Sequence, residues 1–89
     1  MERTVITAEN IGRIREQLPR DQAAALQVGC LTWQFGYESF VGHITVWPTE
    51  RRAAVAWNGN SSWGDWDGDC NVIRLDEGGC VTADGELVG

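Results

Sequence analysis

The chain has 89 residues, of which 43% are hydrophobic and 22% are charged, so we expect one small globular domain spanning residues 1–89. Seven arginines face 13 acidic residues and there is no lysine; the formal net charge of −6 argues against nucleic acid as a direct ligand. No stretch reaches the ~18 consecutive apolar residues of a membrane span, and the first residues lack the pattern of a signal peptide. We therefore expect a cytoplasmic protein that does not contact a membrane.

The N-terminal third of the chain predicts two short helices. Thr7 is a favourable N-cap, and apolar residues then recur at helical spacing until a proline interrupts the pattern. The apolar residues of this first helix are Ile11, Ile14 and Leu18, and Pro19 is expected to end it near Leu18. Asp21 is in position to cap a second helix that runs through Leu26, with Gly29 as its C-terminal cap.

After Gly29 the apolar residues alternate along the chain, which indicates strands. Leu31, Trp33 and Phe35 share one side of the first strand. Further strands are predicted at residues 40–47, 53–57, 72–75, 80–83 and 86–88. Residues 58–69 are rich in Gly, Asn, Ser and Asp, so this segment is predicted to be the longest irregular loop.

This order of elements predicts an α+β fold. Two short N-terminal helices are expected to pack on an antiparallel β-meander of four to six strands and to cover one face of the sheet. The chain contains no internal repeat, low-complexity tract or linker, which favours a single domain.

The negative charge is confined to the C-terminal part of the chain. Residues 1–52 hold six arginines and six acidic residues, which balance, whereas residues 53–89 hold seven acidic residues and only Arg74. Charge that is segregated in this way is typical of a surface that faces a partner. The alternative is a solvated surface that keeps the protein soluble.

Five tryptophans in so short a chain are unusual. Three of them lie in predicted strands, where we expect burial: Trp33, Trp47 and Trp57. Trp63 and Trp66 flank Asp65 in the predicted loop, and a rigid aromatic side chain beside a charge is typical of an interface anchor. The alternative is that both fold back and cover the end of the sheet, because a small domain needs its large apolar side chains.

The alternating carboxylates of Asp65, Asp67 and Asp69 partly match the ligand spacing of an EF-hand calcium loop. The match fails at the sixth and twelfth positions, which hold Cys70 and Asp76 where Gly and Glu are required. We therefore predict no metal site and no cofactor, and keep a calcium-binding module with a non-standard loop as an alternative.

The cysteines and the single histidine do not indicate catalysis. Cys30, Cys70 and Cys80 are odd in number, which favours reduced thiols, and none of them forms the close pair of a zinc site. His43 is the only histidine, and so small a chain offers few ways to build a cleft with a positioned acid and base. We therefore expect a protein that is not an enzyme.

In size, acidity and single-domain character the chain resembles phage-encoded inhibitors of host defence of the anti-CRISPR type, some of which mimic DNA. The resemblance is one of general character and rests on no motif, so no residue role is carried over from it. It implies an inhibitor that occupies a basic, nucleic-acid-binding surface of a larger protein or ribonucleoprotein, such as the target-DNA site of a CRISPR effector complex.

The acidic C-terminal segment and its two tryptophans are the candidate partner-binding residues. They are Trp63, Asp65, Trp66, Asp67, Asp69, Asp76 and Glu77. In this hypothesis the tryptophans act as anchors and the carboxylates supply the complementary charge. The same charge argument fits an immunity or antitoxin-like protein that neutralises a basic nuclease, and the sequence does not separate the two.

Overall fold

The computed structural model describes residues 3–37, 40–57, 60–68, 71–76 and 78–83, with the backbone alone for Tyr37 and Phe40. Within these ranges the elements are, in chain order, β1 (Thr4–Val5), α1 (Ile11–Arg15), α2 (Arg20–Ala25), β2 (Leu31–Tyr37), β3 (Phe40–Trp47), β4 (Arg52–Ala56), β5 (Ser61–Asp67), β6 (Val72–Leu75) and β7 (Cys80–Thr82). All neighbouring strands are antiparallel, and their order in the sheet is their order in the sequence.

The prediction of two helices packed on a meander of four to six strands is wrong. The described residues form a curled sheet of seven strands, and the two helices have only five and six residues. Helices this short cannot form a layer over a sheet of this size, because each presents little more than one turn.

Strand β5 lies in the segment predicted to be a loop. It pairs with β4 from Arg52–Asp65 to Ala56–Ser61, and with β6 on its other side. Ser, Gly and Asp have low intrinsic strand propensity, but pairing with a neighbour on each side overrides that preference. The loop prediction is therefore wrong for residues 61–67.

Gly64 allows β5 to approach β6 closely. A Cβ atom at this position would collide with the backbone carbonyl of Arg74 on β6. Glycine inside a strand often marks such a close approach of two backbones, although the same residue type in a sequence is commonly taken as a turn former. This glycine is therefore part of the strand pairing.

One face of the sheet carries an entirely apolar cluster, which we call the apolar core. Its buried members are Trp33, Phe35, Ile44, Val46, Ala53, Val55, Ile73 and Ala83. Neither α1 nor α2 contributes a residue to it, so among the described residues it is enclosed by the curl of the sheet itself. The predicted alternation in β2 is confirmed, since Leu31, Trp33 and Phe35 all contact this core.

The other face, which we call the helix-side face, is covered in part by α1 and α2. Its buried cluster consists of Ile6, Ile14, Leu26, Cys30, Trp47 and Ala54. Trp33 and Trp47 are thus buried as predicted, but against opposite faces of the sheet, while Trp57 is half-buried. The predicted strand bounds at 40–47 and 72–75 are confirmed, whereas residues 86–88 lie outside the described residues.

The helix boundaries differ from the prediction, and α1 ends at Arg15 where the pattern predicted an end near Leu18. The Thr7 hydroxyl accepts a hydrogen bond from the Asn10 backbone N–H at 3.3 Å, but the residues between them form a turn and α1 begins only at Ile11. Asp21 lies in the first turn of α2, which begins at Arg20, so it is not the residue that precedes the helix. Gly29 has a positive φ of 99° in a separate turn, four residues after α2 ends.

A buried polar side chain fixes α2 to the sheet. Gln22 is fully buried; its carbonyl oxygen accepts from the Thr45 hydroxyl at 2.6 Å, and its amide nitrogen donates to the Ser61 hydroxyl at 3.0 Å. The Thr32 hydroxyl lies 3.1 Å from that of Thr45. Because buried polar groups are costly without partners, this network specifies where α2 sits above β3 and β5.

Candidate protein-interaction face

The alternation of β5 decides which of the candidate residues can act together. Trp63 packs with the helix-side cluster, whereas Trp66 packs against the apolar core on the opposite side of the sheet. Side chains two residues apart in a strand share a face, so Asp65 and Asp67 project on the same side as Trp63. One partner surface can therefore contact Trp63, Asp65 and Asp67 together, but not Trp66 with them.

Asp76 joins the same group through its backbone. Its N–H donates to the carbonyl of Trp63 at 3.0 Å, which continues the register that pairs Gly64 with Leu75. Asp76 is exposed and lies beside Trp63 at the end of β6. We call Trp63, Asp65, Asp67 and Asp76, with the neighbouring arginines Arg52 and Arg74, the β5–β6 face.

The Trp63 side chain is half-buried and held on several sides. Its ring lies 5.0 Å from the ring of Trp47, tilted by 31°, and the guanidinium of Arg52 lies 5.3 Å from its centroid. Its indole N–H donates to the carboxylate of Asp21 at 3.1 Å. A ring fixed in this way presents aromatic surface without losing much conformational entropy when a partner binds.

Asp21 ties this aromatic group to α2. Its carboxylate accepts from the Ser61 hydroxyl at 2.9 Å and from the Gln22 backbone N–H at 2.9 Å, in addition to the Trp63 indole. Partial burial would raise the pKa of Asp21, but the hydrogen bonds from Ser61, Trp63 and Gln22 outweigh it and lower the pKa below 3.8. The charged form is therefore the one that holds α2 to β5.

The carboxylates of the β5–β6 face are interleaved with arginines from adjacent strands. Asp65 is exposed and lies in register between Arg52 on β4 and Arg74 on β6. The Arg74 guanidinium lies 3.8 Å from the carboxylate of Asp67, with side-chain exposures of 65% and 25%. The negative charge that is segregated in the sequence is thus partly offset in the fold by these two arginines.

Trp66 occupies a different environment from Trp63. It is paired with Ile73 across β5 and β6 and packs against the apolar core. Its indole nitrogen is buried and has no hydrogen-bond partner within the described residues. The role of Trp66 as an anchor stays a prediction, and the geometry separates it from the other candidates.

Asp69 and Glu77 are the remaining candidates, and both lie outside the described residues. The alternating carboxylates considered for calcium also include Asp69, so the structure describes only two of the three. In the part of the chain that the structure covers, no group of three or more His, Cys, Asp or Glu side chains could hold a metal ion. Asp65 and Asp67 lie on a strand beside Arg74, whose positive charge opposes a bound cation.

The described cysteines have free thiols. Cys30 is buried and Cys80 is half-buried, while Cys70 lies outside the described residues. Burial, together with the charge of Glu50, raises the pKa of the Cys30 thiol, which makes the reactive thiolate scarce near neutral pH. No helix among the residues described is long and apolar enough to cross a membrane.

Three residues of this region were not singled out by the sequence for the roles they have. Arg52 covers the Trp63 ring, Gln22 joins α2 to the sheet, and Ser61 links Gln22 to the carboxylate beside it. A glutamine next to a run of three alanines is a weak hint of a buried polar contact. Its partners are 23 and 39 residues away along the chain, and no local pattern indicates them.

No protein-family model, curated protein or solved structure matches this chain. The geometry and the charges of the β5–β6 face are thus the observations that bear on its function.

Proposed function

We propose that this chain is a protein-binding inhibitor whose β5–β6 face occupies a basic, nucleic-acid-binding surface of a larger protein or ribonucleoprotein. The observation that carries the proposal is the placement of a fixed, half-exposed tryptophan with three carboxylates on one side of two neighbouring strands. The inhibitor acts by binding alone, so the proposal requires neither a catalytic group nor a cofactor.

The two kinds of side chain have separate roles in the proposed complex. Trp63 supplies apolar contact area, and tryptophan is among the residues that most often dominate binding energy at interfaces. The exposed carboxylates of Asp65 and Asp76 act at longer range and steer the encounter with a positively charged partner. The contact of Trp63 then determines which partner is bound, and the charges increase the rate at which the two proteins associate.

Competition with nucleic acid is expected from the chemistry of the carboxylates. Asp65 and Asp67 are two residues apart on a strand, a separation of roughly 6.6 Å, and present a short row of oxygen acceptors. The guanidinium groups of a partner's arginines form paired hydrogen bonds with carboxylates and with phosphates in the same way. A surface that binds the DNA or RNA backbone can therefore bind the β5–β6 face instead of the nucleic acid. Inhibitors of the anti-CRISPR type that mimic DNA act in this way in the host-cell cytoplasm.

The arginines of the β5–β6 face allow the electrostatic part of the proposal to be tested. Arg74 lies beside Asp67 and in register with Asp65, so it lowers the negative potential where the partner is expected to bind. Changing Arg74→Gln removes that positive charge at little cost in stability, because exposed ion pairs contribute little. We expect the variant to associate with its partner several-fold faster than the unchanged chain, and the difference to shrink at high salt.

The experiment is capture of the partner from host-cell lysate with this protein as bait, followed by release with duplex DNA. We expect DNA to displace the captured partner, and the variant carrying Asp65→Asn and Asp76→Asn to capture less of it. The matched control carries Glu9→Gln and Glu16→Gln, which change the net charge equally at exposed positions on or near α1.

Three outcomes would contradict the proposal: a partner that duplex DNA does not displace, binding that salt does not weaken, or an equal loss of capture in both double variants. The identity of a displaced partner distinguishes a CRISPR effector complex from a basic nuclease, which is the target expected of an immunity protein.

A further inference from the structure

A groove of about 360 Å³ lies on the helix-side face, between α1 and the first three strands. Its volume is at the lower end of the range of small-molecule sites. The side chains that define its chemistry are Arg13, Ile14, Gln17, Leu18, Gln34 and His43. The groove shares no residue with the β5–β6 face, so binding of a ligand there is independent of the proposed function.

The lining contains hydrogen-bond donors and no carboxylate, although the chain as a whole carries a net charge of −6. Arg13 projects from α1, is exposed, and makes no ion pair within the described part of the chain. Gln34 and His43 are paired in register across β2 and β3, so their side chains emerge side by side. An anion in the groove would meet a guanidinium and neutral donors without facing a like charge.

His43 contributes to this lining as a neutral group. It is half-buried, and the loss of hydration lowers its pKa below 6.5. Near neutral pH the imidazole therefore has one N–H donor and one acceptor nitrogen. The positive charge in the groove then comes from Arg13, at its α1 side.

The apolar part of the lining is supplied by two aliphatic side chains, Ile14 of α1 and Leu18, which lies three residues beyond the end of α1. Ile14 is buried in the helix-side cluster, and Leu18 is half-buried against it. They give the groove an apolar wall in the same lining as Arg13. The complementary ligand is therefore amphipathic, with an apolar body and an oxyanion at one end.

We propose that this groove binds a small organic oxyanion, a carboxylate or a phosphate ester, with its charged group on Arg13, Gln34 and His43 and its apolar body against Ile14 and Leu18. Arg13 supplies charge-assisted hydrogen bonds, and the carboxamide and imidazole supply neutral ones. The apolar wall discriminates against inorganic anions, which have nothing to place there.

The test is titration of the full chain with benzoate and with phenyl phosphate, followed by amide chemical shifts in nuclear magnetic resonance. We expect saturable shifts at residues of α1, β2 and β3, and the tighter of the two probes identifies the preferred oxyanion. Benzamide has the same body without the charge and is expected to bind at least about tenfold more weakly. Inorganic phosphate supplies the charge without the body and is expected to give no saturable shift.

Arg13→Gln is expected to weaken binding of the better probe by about tenfold, because it removes the charge-assisted contacts. The matched control is Arg20→Gln, which removes the same charge from an exposed arginine that does not line the groove. Absence of saturable shifts with both probes, equal binding of benzamide, or equal losses in the two variants would overturn the proposal.

Discussion

The two faces of the sheet are stabilised in different ways. The apolar core consists of hydrophobic side chains alone and is enclosed by the curl of the strands. The helix-side face buries Thr32 and Thr45 together with Gln22 of α2, and hydrogen bonds join the three side chains. The stability of the apolar core thus depends on packing alone, whereas that of the helix-side face also depends on hydrogen bonds between buried polar atoms.

The difference between the two faces explains where the proposed binding surfaces lie. An enclosed apolar core leaves little side-chain surface available to a partner, because its residues already contact one another. On the helix-side face the short helices cover only part of the sheet, so Trp63 and the carboxylates beside it stay accessible, as does the groove under α1. Incomplete coverage by the helices therefore leaves this face accessible to the proposed partner and ligand.

The largest expected effect is on the apolar core. Ile73→Ala removes a fully buried side chain on β6 and is expected to lower the free energy of unfolding by about 4 kcal/mol, since the enclosed core cannot relax into the cavity. Val41→Ala is the matched control, because Val41 is 53% exposed, and it should cost less than about 0.5 kcal/mol. Urea unfolding of both variants measures the difference, and similar losses would contradict the assignment of this core.

The next effect concerns the close approach of β5 and β6. Gly64→Ala places a methyl group against the Arg74 carbonyl, and we expect a loss of about 3 kcal/mol because backbone must move. Gly12→Ala in α1 meets no atom within 4 Å and should be neutral or stabilising by up to about 1 kcal/mol, since alanine favours the helix. Thermal unfolding of the two variants compares them directly, and a well-tolerated Gly64→Ala would mean that β5 is not paired as described.

A smaller effect tests the hydrogen-bonded network of the helix-side face. Gln22→Leu retains the approximate volume but removes one of the two hydrogen-bond partners of each of the Thr45 and Ser61 hydroxyls, at an expected cost of about 2 kcal/mol. Thr45→Val should then cost less in the Gln22→Leu background than in the unchanged chain, with a coupling of about 1 kcal/mol. Denaturation of the four proteins of this cycle gives the coupling, and strictly additive effects would show that the two side chains act independently.

The smallest expected effect is the contribution of Asp21 to the pH dependence of folding stability. Because its pKa is lower in the folded protein than the ordinary 3.8, its charge stabilises the fold fully above that value and progressively less as pH falls through the folded pKa. Asp21→Asn removes this charge, and its single amide oxygen can replace the carboxylate Oδ1 that accepts from Ser61 but not also the Oδ2 that accepts from Trp63. The stability difference between the two proteins should be largest near neutrality and shrink below pH 3.8, as followed by urea unfolding at each pH; a difference that grows in acid would contradict the sign.

Particular residues show how far the sequence could predict the fold. The strands at 40–47 and 72–75 and the orientation of Leu31, Trp33 and Phe35 follow from alternation, because a strand that buries one face must repeat every two residues. Strand β5 could not be predicted in this way, since Gly64 and its polar neighbours favour a turn locally. Its strand conformation depends on pairing with β4 and β6, which the local sequence does not contain.

The candidate site also depends on strand pairing that local sequence patterns do not contain. The sequence identified Trp63, Asp65 and Asp67 as unusual residues, and the alternation of β5 brings them to one face. It could not indicate that Trp66 lies on the other face, because that conclusion requires knowing that the segment is extended. Nor could it place Arg52 beside Asp65, since their contact depends on the register of two strands.

The sequence by itself determined the amount and the location of the charge, the alternation of the well-formed strands and the number of aromatic side chains, because each of these depends only on composition and local spacing. The tertiary structure decided which of those charges meet arginines, which tryptophan remains accessible and where the groove under α1 opens. These properties depend on the pairing register and on the curl of the sheet, which arise from contacts between residues distant in sequence.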